Sequence, residues 1–376
     1  MKPKIRFKGY VGEWKEEQLS EISSSIASGK NIDHKGSYPL YGSTGIIGTT
    51  DKPYHEGPML LVARVGANAG FLQLVNEKCG VSDNTLIVKP KDPVTDNYLF
   101  QYFKFFNLNR FIYGSGQPLI TGGMLKKMPV RYGLKEERET LIDYFTTLDS
   151  QISASTSRLA SLKQMKAASL QAMFPQEGET VPKIRFKGFE GEWKKVSFKD
   201  FTFHAGTKNR DNLPLESYSI SNEFGFIPQN EQFENGGTMT QADKRMYYIV
   251  SPNSFAYNPA RINVGSLGYY EGKEDVIVSS LYEVFKTDDT ICDKFLLYWF
   301  KTDIFQKMIE QFQEGGVRLY FFYDKMCKCS LMRPPLAEQQ AIASYFTSLD
   351  HQISLQSQCL EKLKQIKSAC LDKMFV

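Results

Sequence analysis

The chain contains few of the residues from which metal and nucleophilic sites are built. It has four histidines among 376 residues, at positions 34, 55, 204 and 351, and no two of them are four residues apart, as on a zinc-binding helix. The acidic residues form no evident cluster of the kind that holds a nuclease metal, and no G-x-x-x-x-G-K-[ST] loop for nucleotide phosphates occurs. These absences favour a non-catalytic chain, although an active site assembled from distant residues stays open as an alternative.

Other classes of protein are excluded by equally simple counts. The six cysteines have no spacing typical of a disulfide framework or a zinc site, so we expect free thiols and a cytoplasmic location. No run of about 18 apolar residues occurs, so no membrane span is expected. The basic first residues have no apolar run behind them, unlike a signal peptide. The net charge of +4 permits a nucleic-acid partner without requiring one.

What the chain does have is a duplicated opening segment. "PKIRFKGYVGEWK" runs from Pro3 to Lys15 and "PKIRFKGFEGEWK" from Pro182 to Lys194, and 11 of the 13 aligned residues are identical. We call these segments the openers. Because the second copy starts near the middle of the chain, the sequence predicts two tandem units.

A second duplicated segment, which we call the closer, ends each unit. "DYFTTLDSQIS" from Asp143 matches "SYFTSLDHQIS" from Ser344, and the likeness continues to Phe174 and Phe375. The closers are offset by 201 residues and the openers by 179, so the stretch between them is 22 residues longer in the second copy. Two copies are too few for a solenoid, and we predict a duplicated two-part unit.

Each closer has the pattern of a long helix. Apolar residues recur at intervals of 3, 4, 7 and 3 in both copies, without proline or glycine in 134–174 or 336–376. These seams either lie on their own globular domains or face each other, and their matched spacing and length favour the second alternative. The seam residues are Phe145, Leu148, Ile152, Leu159 and Leu162 in the first copy and Phe346, Leu349, Ile353, Leu360 and Leu363 in the second, with Ser155 and Gln356 at the skipped positions.

The short connection between the copies predicts the direction of the two helices. The seven residues 175–181 separate the first closer from the second opener, and they span at most about 25 Å. A parallel pair would need a linker that runs back along a helix of about 55–60 Å. We therefore predict an antiparallel pair, related by approximate twofold symmetry.

The variable stretches between opener and closer, about 15–131 and 195–333, share only fragments of sequence. One fragment is "ARVGANAG" from Ala63 beside "ARINVGSLG" from Ala260. Runs such as "YPLYGSTGIIGTTD" predict strands with tight turns, whereas "DNYLFQYFKFFN" and "CDKFLLYWFKTDIFQKMIEQF" predict helices. The predicted fold class is therefore α/β, with mixed α+β domains attached to two long antiparallel coiled-coil helices.

Two unlike domains, each preceding a matched long helix, resemble the specificity subunits of type I restriction–modification systems. The resemblance covers the whole chain and is carried above all by "PPLAEQQAIASYFTSLDHQI" from Pro334 to Ile353. The repeated openers agree with it, as do "LYGSTGIIG" and "YNPARINVGSLG". The first closer departs from the pattern in "GLKEERETL", where the second has "PLAEQQAI".

The resemblance implies a DNA-recognition chain that is not an enzyme. It implies one target recognition domain for each half of a split, asymmetric double-stranded DNA site, and helices that set the distance between the halves. It also implies two docked modification subunits, which carry S-adenosylmethionine and methylate adenine, and restriction subunits that use ATP and Mg²⁺. The chain itself would hold no cofactor and no metal. The expected boundaries are 1–133 for the first recognition domain with its opener, 134–174 for the first helix, 175–181 for the linker, 182–335 for the second recognition domain with its opener, and 336–376 for the second helix.

Two other classes of function stay open. A single-chain DNA methyltransferase or nuclease on a duplicated scaffold would bind a methyl donor or act on DNA by itself. However, "YNPAR" from Tyr257 lacks the second proline and the aromatic residue of the Asn-Pro-Pro-aromatic motif of adenine methyltransferases. A coiled-coil scaffold without a DNA role would have little use for unlike domains between matched helices.

Candidate DNA-contacting residues lie in the glycine-rich turns and loops of the variable stretches. Arginine pairs with guanine and asparagine with adenine, whereas arginine and lysine also hold phosphates. Because Arg64 and Arg261 occupy a shared fragment, we interpret them as phosphate-holding or turn-bracing residues, and we interpret Gln117, Lys208 and Arg210 as candidates for base edges. The full set is Ser43, Thr44, Arg64, Asn68, Gln117, Lys126, Lys127, Lys208, Arg210, Lys244, Arg245, Arg261, Asn263 and Arg318.

Overall fold

A computed structural model describes residues 2–30, 35–111, 118–222, 224–232 and 243–376. The chain divides into two compact units. Unit 1 consists of Met1–Arg158 together with Gln356–Val376, and unit 2 consists of Leu159–Leu355. Each unit therefore contains one opener, one variable domain and a part of each closer.

The variable domain of unit 1 contains two four-stranded sheets. Their strand orders are β2-β9-β6-β7 and β4-β3-β8-β5, and a two-stranded ladder joins β1 to β10. Only β3 and β8 pair in parallel among the strand pairs described in this unit. The elements are β1 (Lys15–Gln18), α1 (Leu19–Ile22), β2 (Ser23–Ser28), β3 (Tyr38–Gly42), β4 (Gly45–Thr50), β5 (His55–Glu56), β6 (Met59–Ala63), β7 (Leu72–Val75), β8 (Lys78–Val81), β9 (Thr85–Pro90), α2 (Pro93–Phe106), α3 (Gly122–Lys126) and β10 (Pro129–Tyr132), followed by the long helix α4 (Lys135–Ala172).

The variable domain of unit 2 has a corresponding pair of sheets. Their strand orders are β12-β20-β17-β18 and β13-β16-β19-β14-β15, with a ladder between β11 and β21. The elements are β11 (Lys194–Ser197), β12 (Thr202–His204), β13 (Thr207–Lys208), β14 (Ser217–Ser221), β15 (Gly225–Pro228), α5 (Gln229–Gln232), β16 (Tyr248–Val250), β17 (Ser254–Tyr257), β18 (Leu267–Tyr270), β19 (Val276–Val278), β20 (Glu283–Thr287), α6 (Asp293–Trp299), α7 (Asp303–Phe312), α8 (Tyr323–Met326), β21 (Ser330–Arg333) and the long helix α9 (Leu336–Met374).

The two variable domains share one strand plan despite their different sequences. β12, β20, β17 and β18 follow the order of β2, β9, β6 and β7. In each second sheet a parallel pair, β3 with β8 or β14 with β19, is flanked by a hairpin partner, β4 or β15. The mixed α/β class predicted from the sequence is confirmed, and the variable stretches differ in their loops more than in their frameworks.

The continuous apolar run of β6 shows why this strand lies at the centre of unit 1. All five of its residues are buried. Because successive side chains of a strand point to opposite faces, Leu60 and Val62 join a core formed with α2, whereas Met59 and Leu61 join a smaller cluster formed with the second sheet. Burial of each large apolar side chain contributes about 1.5–3 kcal/mol, so β6 holds both layers together.

The long helices run antiparallel where they contact each other within each unit. In unit 1, the Tyr144 hydroxyl lies 3.3 Å from Cys370 Sγ, and Gln356 Nε2 lies 2.6 Å from Ser155 Oγ. Partner numbers on α9 therefore fall as the numbers on α4 rise, and the same order holds in unit 2. Phe145, Leu148, Phe346, Leu349 and Leu360 are buried, and the other seam residues are partly exposed.

The helical seam contacts both its own variable domain and the partner helix, so each of the two alternatives predicted from the sequence holds in part. Phe145 belongs to the core that contains α2 of the variable domain, and its ring also lies 5.5 Å from that of Phe375, just after α9. Phe346 makes the corresponding contacts with Tyr298 of α6 and with Phe174. The same side chains thus face both the variable domain and the partner helix.

Each opener is hydrogen-bonded to the start of one long helix and to the end of the other. In unit 1, Arg6 Nε and Nη2 donate to the Glu137 carboxylate at 2.6 and 2.7 Å, and the Ile5 amide donates to the Lys373 carbonyl at 2.9 Å. In unit 2, Arg185 donates in the same way to Glu338, and the amide of residue 184 donates to the carbonyl of residue 172. We call each arrangement an opener clamp, and it accounts for the repetition of the openers.

Two opener glycines are explained by the same geometry. Gly12 and Gly191 have φ of 85° and 79°, a left-handed conformation that side chains other than glycine rarely adopt. Their carbonyls accept from Arg6 and Arg185 at 2.7 and 2.6 Å. The hydrogen bond from each guanidinium to its glutamate raises the pKa of the arginine, so both clamps keep their positive charge.

Two regions differ in detail from the sequence-based expectation. The stretch predicted as helical from Cys292 to Phe312 forms two helices, α6 and α7, with a break at 300–302. The glycine-rich loops that precede the closers end in short helices, α3 and α8. Among the described residues, no helix combines the length and the hydropathy needed to cross a membrane.

Candidate nucleic-acid interface

The shared "AR" fragment forms the same kind of turn in both units. In unit 1 it connects β6 to β7 through a 3₁₀ turn at Gly66–Asn68, and in unit 2 it connects β17 to β18 through one at Ile262–Val264. Arg64 and Arg261 each stand shortly before the 3₁₀ turn. A hairpin end of this kind can present side chains and free backbone donors without disturbing the sheet behind it.

Two other loops are hydrogen-bonded to the β6–β7 hairpin that carries this turn in unit 1. The Ile120 amide donates to the Arg64 carbonyl at 2.7 Å, which attaches the loop before α3. Gln73 Nε2 donates to the Gly42 carbonyl at 2.8 Å, which attaches the β3–β4 hairpin with Ser43 and Thr44 at its tip. Three chain segments that are distant in sequence therefore meet at one edge of the domain.

Unit 2 assembles an equivalent group of loops with different residues. The amide of Phe321 donates to the Pro259 carbonyl at 3.0 Å, which attaches the loop that carries Arg318. Ser266 Oγ donates to the Ile220 carbonyl at 3.2 Å, which attaches the β14–β15 hairpin. We call this group of three loops in each unit the loop face.

The two arginines of the shared fragment have different surroundings. Arg64 is partly buried, and its Nη1 donates to Ser28 Oγ at 3.3 Å and to the Asp83 carbonyl at 3.4 Å. Arg261 is exposed, and among the described residues its side chain makes no hydrogen bond or ion pair. Arg64 is therefore hydrogen-bonded to the end of β2 and to the loop between β8 and β9, whereas the Arg261 side chain extends from the surface.

Several other predicted residues also lie at the surface. Lys126 ends α3 and Lys127 follows it, and both are exposed. The remaining exposed members of the set are Thr44, Asn68, Arg210, Arg245, Asn263 and Arg318. Ser43 and Lys244 are partly buried. Gln117 lies outside the described residues.

Lys208 is held within the protein rather than extended from it. Its ammonium donates to the Met246 carbonyl at 2.9 Å and lies 3.6 Å from the centre of the Tyr248 ring. A cation–π contact of this kind contributes about 0.5–1 kcal/mol at exposed sites. A base contact by Lys208 would therefore have to replace these two interactions.

The loop face includes residues that the sequence did not single out. Gln73 lies beside the β3–β4 hairpin, and Asn222 is exposed beside the Gly265 turn. The tips also expose apolar side chains, with Phe71 49%, Val264 54% and Phe224 72% accessible. Nothing in the local sequence distinguishes these residues, because their positions depend on which loops meet in space.

The described residues contain no group of three or more His, Cys, Asp or Glu side chains arranged to hold a metal ion. A cavity of about 560 Å³ in unit 2 is lined by the linker and α7, and one of about 410 Å³ in unit 1 is lined by the β6–β7 turn and the end of α2. The loop faces also carry polar side chains and exposed cations. Surfaces of this composition suit a polyanion better than a small molecule.

Comparison with known proteins identifies the family. A family model described as the type I restriction modification DNA specificity domain matches residues 12–164 and 191–365. The EcoprrI specificity subunit of the Escherichia coli type I restriction enzyme is 26% identical over 159 residues, which are 39% of this chain and 40% of that one. The S.HindORF215P chain of Haemophilus influenzae, which carries the name of a type I specificity subunit, is 22% identical over 348 residues, 88% of this chain and 86% of that one.

Solved structures agree in fold. The crystal structure of the S subunit of a type I restriction–modification system from M. genitalium superposes with a TM-score of 0.65 at 12% identity and covers 100% of this chain and 99% of that one. A chain from a type I system, solved to explain its complex assembly and conformational transition, gives a TM-score of 0.53 at 14% identity over 96% of this chain and 97% of that one. The two matched segments of the family model take in most of both units, and the chain belongs to the type I restriction–modification DNA specificity subunits.

Proposed function

We propose that each unit reads one half of a bipartite, asymmetric DNA site through its loop face. The observation that carries this proposal is that two variable domains with one strand plan present different loops at corresponding positions. A constant framework with variable loops is suited to reading different base sequences with the same docking geometry. Since the two loop faces differ, the two half-sites should differ as well.

We further infer that the paired helices set the gap between the half-sites and dock two modification subunits. α4 has five basic residues and five acidic ones between positions 135 and 174, a balance that suits protein contact better than phosphate contact. S-adenosylmethionine would be held by the modification subunits, and ATP and Mg²⁺ by restriction subunits. This chain would supply recognition and positioning without carrying out a chemical step.

Exchange of one variable domain tests this function. Replacing residues 195–333 with the same region of a relative should change one half of the recognised site and leave the other half unchanged. Both cuts fall within the β11–β21 ladder, where residues 194 and 333 are paired, so the framework is preserved. Methylated adenines would be mapped after expression with the modification subunit. A change in both halves would contradict separate reading.

The reciprocal exchange of residues 15–131, bounded by the β1–β10 ladder, is the matched control and should change the other half. The purified chain alone should neither bind a methyl donor nor methylate DNA. Methyl-donor binding by the isolated chain would favour a single-chain methyltransferase instead.

Replacing Arg261 with alanine should weaken DNA binding about equally for all sequences. An exposed arginine that contacts a phosphate releases counterions, so the slope of log K against log salt should become shallower by about 1. Binding by the assembled modification enzyme would be measured from low to moderate salt. Arg158→Ala, which changes an exposed arginine on α4, should leave the slope unchanged. An Arg261→Ala enzyme with unchanged affinity and slope would exclude Arg261 from the DNA contact.

A further inference from the structure

The carboxylate of Asp149 connects three helices in unit 1. Asp149 of α4 accepts from Lys367 of α9, and Lys104 of α2 approaches its second oxygen at 3.6 Å. Gln101 of α2 donates to that second oxygen at 3.1 Å. One side chain therefore contacts both long helices and the main helix of the recognition domain.

Unit 2 repeats this arrangement with the roles of the long helices exchanged. Asp350 of α9 lies 2.5 Å from the ammonium of Lys166 on α4, and it accepts from the Tyr298 hydroxyl of α6 at 2.9 Å. The Lys301 ammonium lies 5.3 Å from the centre of the Tyr298 ring. We call each group of two lysines and one aspartate a joint.

The two joints correspond residue by residue: Gln101 with Tyr298 and Lys104 with Lys301 share an offset of 197 residues. Asp149 with Asp350, and Lys166 with Lys367, are related by the 201-residue offset of the closers. The recognition-domain partners are glutamine in one copy and tyrosine in the other, yet both donate to the same aspartate oxygen. A side chain of a different type therefore makes the equivalent contact in each domain.

At each joint the lysine that links the long helices is largely shielded from water, whereas the aspartate is about one-third exposed. The side chains of Lys367 and Lys166 are 14% and 21% exposed, and those of the two aspartates are 36% and 35% exposed. Burial and the neighbouring Lys367 lower the pKa of Lys104 to about 8. Burial tends to raise the pKa of Asp149, but hydrogen bonds from Lys367 and Gln101 outweigh it and the pKa lies below its ordinary value.

The hydrogen bonds of the joint restrict orientation in a way that the apolar core beside it does not. Apolar packing holds the recognition domain against the helices but is non-directional. Hydrogen bonds to a charged group depend on direction and weaken steeply when the angle changes. Loss of the aspartate would also leave two lysines close together without their shared counter-charge.

We propose that Asp149 and Asp350 are positioning residues that fix the orientation of each recognition domain on the helix pair and so restrict the gap lengths that the enzyme accepts. This inference rests on the proposed function of the helices in setting the gap. A change of one base pair moves a half-site by about 3.4 Å and turns it by about 34–36°. A domain that pivots at its joint would tolerate such a change, whereas a domain held by the aspartate would not.

The test uses Asp149→Asn in the complete modification enzyme. Methylation would be measured on DNA with the native gap and with gaps one base pair shorter and longer. We expect methylation of the altered gaps, relative to the native one, to rise by roughly tenfold, since a hydrogen bond to a charged group contributes about that factor or more. Asp350→Asn should do the same, and Asp149→Glu should restore most of the selectivity.

Asp143→Asn is the matched control, because it removes an exposed carboxylate from the same helix and should not change gap selectivity. If Asp149→Asn does not assemble, Lys104→Met removes only the recognition-domain lysine and keeps the contact between the helices. Unchanged selectivity in an assembled joint variant would overturn the proposal. A wild-type enzyme that accepted all three gaps would instead overturn the role of the helices, so the two failures are distinguishable.

Discussion

Replacing Glu338 with alanine is expected to lower the free energy of unfolding of unit 2 by about 3–5 kcal/mol, because it leaves a partly buried arginine without its counter-charge. The side chain of Glu338 is 1% exposed and that of Arg185 14% exposed, and two hydrogen bonds of 2.7 and 2.8 Å join them. Denaturant unfolding of the purified chain would measure the loss from the shift in midpoint. Glu137→Ala should produce a similar loss in unit 1.

Two further variants separate the buried pair from a general effect of the substitution. Glu192→Ala changes an exposed glutamate and should cost less than about 0.5 kcal/mol. Arg185→Met combined with Glu338→Leu should recover much of the stability, because no unpaired charge remains. A Glu338→Ala variant no less stable than Glu192→Ala would show that the clamp contributes little to stability.

Lengthening both long helices by seven residues should lengthen the unread gap in the DNA site by about three base pairs. Seven helical residues add about 10.5 Å and return the apolar face to within about 20°, and a base pair occupies about 3.4 Å. The insertions belong beside Ser155 and Gln356, because these residues are hydrogen-bonded to each other and mark matched positions on α4 and α9. Methylation mapping would report the new gap directly.

Insertion of four residues at the same two positions is the informative control. It adds about 6 Å to each helix but turns the following residues by about 40°. This rotation takes the apolar seam out of register, so we expect loss of assembly. If the heptad variant kept full activity at the original gap, the helices could not be setting that gap.

The parts of the fold that depend on repeated local patterns could be predicted from the sequence. The apolar periods of the closers and the short linker after Phe174 predicted two long antiparallel helices, and contacts such as Ser155 with Gln356 agree with that direction. Alternating and continuous apolar runs predicted mixed α/β domains. The sequence did not show why the openers are repeated, because the clamp joins Arg6 to Glu137, and these residues are 131 positions apart.

The loop faces were less predictable, because the role of a residue there depends on what lies around it in space. Arg64 and Arg261 follow the same "A" in a shared fragment, yet one is hydrogen-bonded to Ser28 and the other is exposed. Lys208 has the residue type of a base reader, but it is held by Met246 and Tyr248. Gln101 and Tyr298 differ in residue type although both stand three residues before a lysine, and the fold shows that each donates to the matched aspartate.

Unit 1 is formed by two separate segments of the chain, and this affects the order in which the chain folds during synthesis. Phe375 is 3% exposed, and its ring packs among those of Trp14, Tyr102 and Phe145, so the first core contains a side chain translated after all of unit 2. Unit 2 is continuous in sequence and can close on the ribosome, whereas unit 1 must wait for a contact across more than 200 residues. A nascent chain that stops within unit 2 exposes aromatic side chains of its first core. Such incompletely folded chains are substrates for chaperones and proteases. Completion of the first core therefore requires that unit 2 has already been translated.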